Sequence, residues 1–150
     1  MIGLPAAGKT TFYCQSLAGT HEHVSEDSCR HNRNGQRRQM MVIAEALAAG
    51  CNVAVDNTNP SPEEWRLIIE LAHVHNASAV GYWWPPDLPG SLRRNADRIG
   101  AARVPDVAVF TTFRRLRLPR PDDGFDRLFE VRFDGRGGFM VAPMEYLVGD

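Results

Sequence analysis

At 150 residues the chain is long enough for one domain with a sizeable core, and one domain over residues 1–150 is the expectation. Hydrophobic residues make up 43% and charged residues 23%, the mix of an ordinary water-compatible fold. The formal net charge of -1 excludes a global basic field that would hold nucleic acid non-specifically. Cys14, Cys29 and Cys51 form no CxxC pair, which argues against a structural zinc site or a disulfide framework and fits a reducing cytoplasm. With no apolar run of spanning length and no signal-peptide pattern, neither a membrane nor an obligate protein partner is expected.

Along the chain, strand-like and helix-like segments alternate. Residues from about Lys9 to Ala18 read as a helix with Gly19 as its stop. A short strand is expected over His23 to Ser25, then a helix over Gln36 to Ala49 with Gly50 as its stop. Asn52 to Asp56 (NVAVD) is a short apolar run ending in an acid, as a buried parallel strand would be. Ser61-Pro62-Glu63-Glu64 is a capping box that opens a helix through Leu67, Ile68, Leu71 and Ala72. Ala77 to Trp83 reads as a strand, Leu92 to Ile99 as a basic helix, Asp106 to Leu116 as a further helix and Leu128 to Phe133 as a late strand. The Gly-rich turn at Gly135 to Gly138 suggests a hairpin into Phe139 to Ala142, with about residues 134–150 as a C-terminal hairpin or tail. This alternation predicts an α/β three-layer fold with a mainly parallel sheet.

The segment Gly3-Leu4-Pro5-Ala6-Ala7-Gly8-Lys9-Thr10, followed by Thr11, matches the phosphate-loop pattern GxxxxGK[ST]. Small residues let backbone N–H groups curl around a β-phosphate, and the following helix points its positive end at the anion. Lys9 would reach the β- and γ-phosphates of ATP as a point charge, and the Thr10 hydroxyl would ligate Mg²⁺. Of the 17 basic residues only Lys9 is a lysine, and it stands where a compact ammonium is needed. A phosphate loop follows a strand, and a strand typically needs about five residues. Only Met1 and Ile2 precede Gly3. The expectation is therefore a truncated first strand, with a run rich in Val, Ile or Leu continuing the frame ahead of Met1.

Two acids are candidates for chemistry. Asp56, at the carboxyl edge of its strand, either faces the Mg²⁺ shell or caps the turn DNTNP. Asn57, Thr58 and Asn59 are turn formers or substrate contacts. Asp27, in VSEDSCR, follows the second strand, where a base accepting the proton of an attacking hydroxyl would sit, and Glu26 competes with it.

Taken in order, GLPAAGKTT, VSEDSCR, NVAVDNTNPSPEEWR, RRNADR and VPDVAV resemble the polynucleotide kinase-like branch of P-loop kinases from Gly3 to about Phe133. The wider family includes small-molecule kinases and proteins described only as AAA-type ATPases. The resemblance implies Asp27 as catalytic base and Arg30 as a contact to an acceptor phosphate. It implies that Arg94 and Arg98, which match RN-x-x-R, lie on a lid over the ATP phosphates. The acceptor it implies is a nucleic-acid end or a small molecule. Ala6 stands where a glycine is common, and Glu26 where a basic residue is common. No phosphatase or ligase pattern accompanies these segments.

The remaining features read as structural. His21-x-His23 and His73-x-His75 have ligand-like spacing but no accompanying acid or cysteine cluster, so solvated histidines are expected. Tyr82-Trp83-Trp84 reads as the end of a core strand with Trp84 lining the cleft, ahead of a base-stacking platform. Arg114, Arg115, Arg117 and Arg120 read as a solvated helix end.

Overall fold

Two short sheets meet at the first residues of the chain. The computed structural model describes residues 1–26 and 35–145. It carries β1 (His21–Val24), α2 (Gly35–Ala48), β2 (Asn52–Val55), α3 (Pro62–Val74), β3 (Val80–Trp83), α4 (Leu88–Ala96), α5 (Asp106–Arg115), β4 (Arg127–Phe133) and β5 (Phe139–Pro143). Ahead of them stands α1 (Lys9–Phe12), which runs straight into a π-helical turn at Tyr13–Leu17. Strands β1 and β2 pair in parallel, β3 and β4 pair in parallel, and β5 returns antiparallel beside β4. The predicted α/β class with a mainly parallel sheet is what the structure shows.

Met1 and Ile2 lie as a short extended stub between β2 and β3. Ile2 bridges Trp83 in parallel, with Ile2 N donating to Tyr82 O at 2.8 Å and Trp84 N donating to Ile2 O at 2.9 Å. On the other side the Met1 amino group donates to Val55 O at 3.0 Å and Gly3 N to Thr58 O at 3.0 Å. Past this stub the two sheets separate around a cavity of about 510 Å³ lined by Asn52–Val55, Val80, Gly81 and helix α3 residues such as Trp65 and Ile69.

The core has two halves. Ile2, Trp65, Ile69, Ala79 and Trp83 pack beneath the stub, with Phe125 and Leu116 against them. Ala7, Phe12, Trp84 and Val131 pack on the phosphate-loop side. Both tryptophans are buried, Trp84 at 3% exposure, so they form core and not an open stacking platform. At α3 the capping box forms as expected: Ser61 N donates to Glu64 Oε2 at 3.1 Å, and Ser61 N-caps the helix with Pro62 at its start. Among the described residues no helix is long and apolar enough to cross a membrane.

Candidate functional site

The phosphate loop is shaped by close packing at both ends. Gly3 lies so near Trp84 that a Cβ would stand 2.9 Å from the tryptophan Cβ, which leaves room for glycine only. Gly8 combines a left-handed φ of 95° with a Cβ position 3.0 Å from the Phe133 ring, so β4 itself selects glycine there. Ala6 also adopts a left-handed φ, 59°, where a side chain costs roughly 1–2 kcal/mol. Gly8 then precedes α1, and Phe12 N donates to Gly8 O at 2.9 Å.

Lys9 is buried at 7% exposure, and its Nζ donates to Gly3 O at 3.1 Å and Leu4 O at 2.6 Å. Burial lowers its pKa from 10.5 to about 8, with Asp56 opposing the shift. The ammonium is thus held inside the loop that would wrap a phosphate. Thr10 Oγ1 donates to Asp56 Oδ2 at 2.5 Å, and Asp56 is itself buried. The Asp56 side chain thus faces the threonine of the phosphate loop. Two hard oxygens side by side suit Mg²⁺, which binds through one or two carboxylates together with substrate phosphates and water. Among the described residues no cluster of three or more His, Cys, Asp or Glu forms, so an all-protein metal cage is not what these residues build.

These groups open on one cleft of about 330 Å³, whose wall includes Pro5, Ala6, Ala7, Lys9, Thr10, Glu26, Asp56, Asn57 and Arg98. Thr11 is exposed on α1 and does not line it. Glu26 N donates to Asn57 Oδ1 at 2.8 Å, tying the ends of β1 and β2 together at the cleft's edge. Asn59 turns the other way: it is buried, with a left-handed φ of 42°, and its Nδ2 donates to Met1 O at 2.8 Å. Asp27 and Arg30 lie outside the described residues.

The two lid arginines part company. Arg94 Nε donates to Ala6 O at 2.6 Å and its guanidinium lies 4.8 Å over the Phe133 ring, so it braces the back of the phosphate loop. Burial holds its pKa below the ordinary arginine value, with Asp87 opposing the shift. Arg98 lines the cleft, with Nη1 donating to Ala102 O at 3.3 Å. Between them Asn95, fully buried, clamps Val104 through both backbone groups, Nδ2 to Val104 O at 2.7 Å and Val104 N to Oδ1 at 3.1 Å. Sequence reasoning passed over Asn95, although it is the letter N of the quoted RN-x-x-R pattern. It also took the histidines as solvated. That is corrected here: His23 Nε2 lies 2.8 Å from Asp56 Oδ2, and His73 Nε2 lies 2.8 Å from Asp126 Oδ2.

A sequence model described as an AAA domain, P-loop kinase-like in character, matches residues 1–119. The chain belongs to this family. The matched span of the AAA domain ends just before the β4–β5 hairpin, so Phe133, which packs on Gly8, comes from outside it. Two relatives extend the comparison. The chain is 26% identical over 140 residues to a protein of Acanthamoeba polyphaga mimivirus provisionally named a bifunctional polynucleotide phosphatase/kinase, covering 89% of this chain and 32% of that protein. It is 23% identical over 137 residues to the bifunctional polynucleotide phosphatase/kinase of Schizosaccharomyces pombe, covering 89% of this chain and 33% of that protein. The chain thus spans about a third of the length of these curated relatives.

Proposed function

We propose that this chain is a Mg²⁺-ATP-dependent kinase that transfers the γ-phosphoryl group to a hydroxyl, with the 5′-hydroxyl of a polynucleotide as the favoured acceptor. The observation that carries this reading is the convergence of Lys9, Thr10, Asp56 and Arg98 on one cleft built around a phosphate loop. The names of the two relatives favour the polynucleotide acceptor. The net charge of -1 favours a small-molecule acceptor as the second reading.

The division of labour in this proposal draws on the cleft for Lys9, Thr10, Asp56 and Arg98 and on the family resemblance for Asp27 and Arg30. Backbone N–H groups of residues 6–10 cradle the β-phosphate, and Lys9 trades the carbonyls of Gly3 and Leu4 for phosphate oxygens. Thr10 and Asp56 would hold Mg²⁺, which supplies charge neutralisation across the β- and γ-phosphates. Asp27 accepts the proton of the acceptor hydroxyl as its oxygen bonds to the γ-phosphorus and the bond to the bridging oxygen of ADP breaks. Arg98 offsets charge that builds on the transferring group. Arg30 and Asn57 stand as acceptor contacts, whereas Asn59 positions the turn. We place this single domain in the cytoplasm, where the free thiols of Cys14 and Cys51 would stay reduced.

The deciding experiment uses γ-labelled ATP with a panel of 5′-hydroxyl oligonucleotides, nucleosides and small alcohols. Label should appear at oligonucleotide 5′ ends, and Asp27→Asn should lower the rate by about 10²–10⁴-fold with little change in ATP affinity. Glu26→Gln should be much milder. Release of inorganic phosphate with no labelled acceptor would replace the kinase by a hydrolase.

A further inference from the structure

We infer that His23 is a positioning residue that fixes the Asp56 carboxylate for the divalent cation. This rests on the reading of Asp56 and Thr10 as the groups that hold Mg²⁺.

His23 comes to Asp56 through the parallel register of β1 and β2, which sets His23 beside Ala54 and Val24 beside Val55. Asp56 N then donates to Val24 O at 2.7 Å, so the aspartate backbone is locked one residue beyond the end of β2. What remains free is rotation of the carboxylate, and two side chains restrict it. Thr10 Oγ1 and His23 Nε2 both meet the same oxygen, Oδ2, at 2.5 and 2.8 Å. A carboxylate only accepts, so Nε2 of His23 carries the proton and donates it. With the Asp56 side chain only 5% exposed, water has little access to take over that bond.

Thr10 cannot do this alone, because its hydroxyl oxygen is also called on as a metal ligand. His23 stands on β1, outside the phosphate loop, and meets Asp56 through Nε2. Its own ring is held in turn. Tyr13 packs on it with centroids 4.6 Å apart, and Tyr13 Oη donates to His21 O at 2.6 Å, on the same strand. Tyr13 is the first residue of the π-helical turn that interrupts the helix after the phosphate loop. π-Helical turns recur at functional sites, and this one opens on the residue that braces His23.

Residues that hydrogen-bond a metal-holding carboxylate typically matter by about 10–100-fold in metal affinity. The test titrates Mn²⁺, a hard-oxygen probe followed by its free-ion EPR signal, into the full chain with ADP, and measures ADP binding separately in EDTA. His23→Ala should weaken Mn²⁺ binding about tenfold while metal-free ADP affinity stays at the wild-type value. His23→Gln, whose amide can donate from nearly the position of Nε2, should recover most of the loss. Asp56→Asn is the reference. Weaker Mn²⁺ binding in Asp56→Asn with none in His23→Ala overturns the role of His23 and leaves Asp56 standing. Unchanged Mn²⁺ binding in Asp56→Asn removes the metal reading itself and His23 with it. Equal losses in His23→Ala and His23→Gln, or a matching loss of metal-free ADP binding, would reduce His23 to packing.

Discussion

The guanidinium of Arg94 donates through Nε to the backbone carbonyl of Ala6 at 2.6 Å, across a sequence separation of 88 residues. The bond joins helix α4 to the phosphate loop at the very residue held in a left-handed conformation. Arg98, two residues past the end of α4 and so off the helix expected to run to Ile99, instead lines the cleft.

The two arginines should therefore fail differently. Arg94→Ala leaves the buried Ala6 carbonyl without its partner, a loss of about 1–3 kcal/mol, and should lower both the melting temperature and ATP affinity. Arg98→Ala should leave the melting temperature nearly unchanged and lower the single-turnover transfer rate by about 10²-fold or more. Paired melts and single-turnover rates check this. A rate defect confined to Arg94→Ala would reverse the assignment.

Ala6 and its neighbour make a signed pair. Relief of left-handed strain at Ala6 gains about 1–2 kcal/mol, against about 0.5–1 kcal/mol for the extra freedom of glycine in the unfolded chain. Ala6→Gly should therefore raise stability slightly in urea unfolding. Ala7 is not among the positive-φ residues, so Ala7→Gly should lower it. The same sign for both would remove strain at Ala6 as a factor.

Lys9 gives a pH signature. Its folded pKa is about 8 and the ordinary value 10.5, so between these pH values the unfolded chain holds more protons than the folded one. Stability from this group must then rise with pH across that window, and below pH 8 the full cost of burying the charge, about 3 kcal/mol, is present. Lys9→Met carries no such cost. Its stability advantage should be largest near neutrality and shrink as pH rises toward 10.5. ATP affinity of the wild type should move the opposite way, falling as pH rises through about 8, because the anion selects the ammonium. Unfolding curves for both proteins across this range would show a constant gap if Lys9 were freely solvated.

Much of this was legible in the sequence for physical reasons that can be named. The phosphate loop, the capping box at Ser61 and the strand ending at Asp56 are local patterns, and local patterns survive folding. Helix α4 begins at Leu88, four residues before the expected Leu92, because the Asp87 side chain accepts from Gly90 N at 3.1 Å and Pro89 sits in the first turn, where it is tolerated. Strand β3 starts at Val80 instead of Ala77, since Ala77 N is spent on Ala72 O and Ala79 N on Asp126 Oδ2. The pairing of His23 with Asp56 and the split between Arg94 and Arg98 were not legible. One depends on the register of two parallel strands, and the other on Phe133, which arrives from β4.

The slot between the two sheets makes the last prediction. Met1 and Ile2 fill one end of it and bond to both walls, and the line they define continues between Asn52–Val55 and Val80–Gly81. Among the described residues β2 pairs with β1 and β3 with β4 on the sides away from the slot, and the edges that face it pair with no strand along this stretch. The slot is apolar at its flanks, and Trp65 Nε1 is buried there with no hydrogen-bond partner among the described residues. An extended segment joined ahead of Met1, four residues long and rich in Val and Ile, should run parallel to β2 and β3 and satisfy both edges. Buried apolar side chains contribute about 1.5–3 kcal/mol each, and ordering each residue costs about 1–2 kcal/mol, so a net gain on the order of 2 kcal/mol is expected. For a chain of this size that is a rise of about 4–8 °C in melting temperature. It should come with a larger urea m-value and with protection of the Val53 and Val80 amides, which lie on the slot side of their strands, from hydrogen exchange. A Gly-Ser segment of equal length is the control. Equal shifts from both segments would mean that the slot does not take a strand.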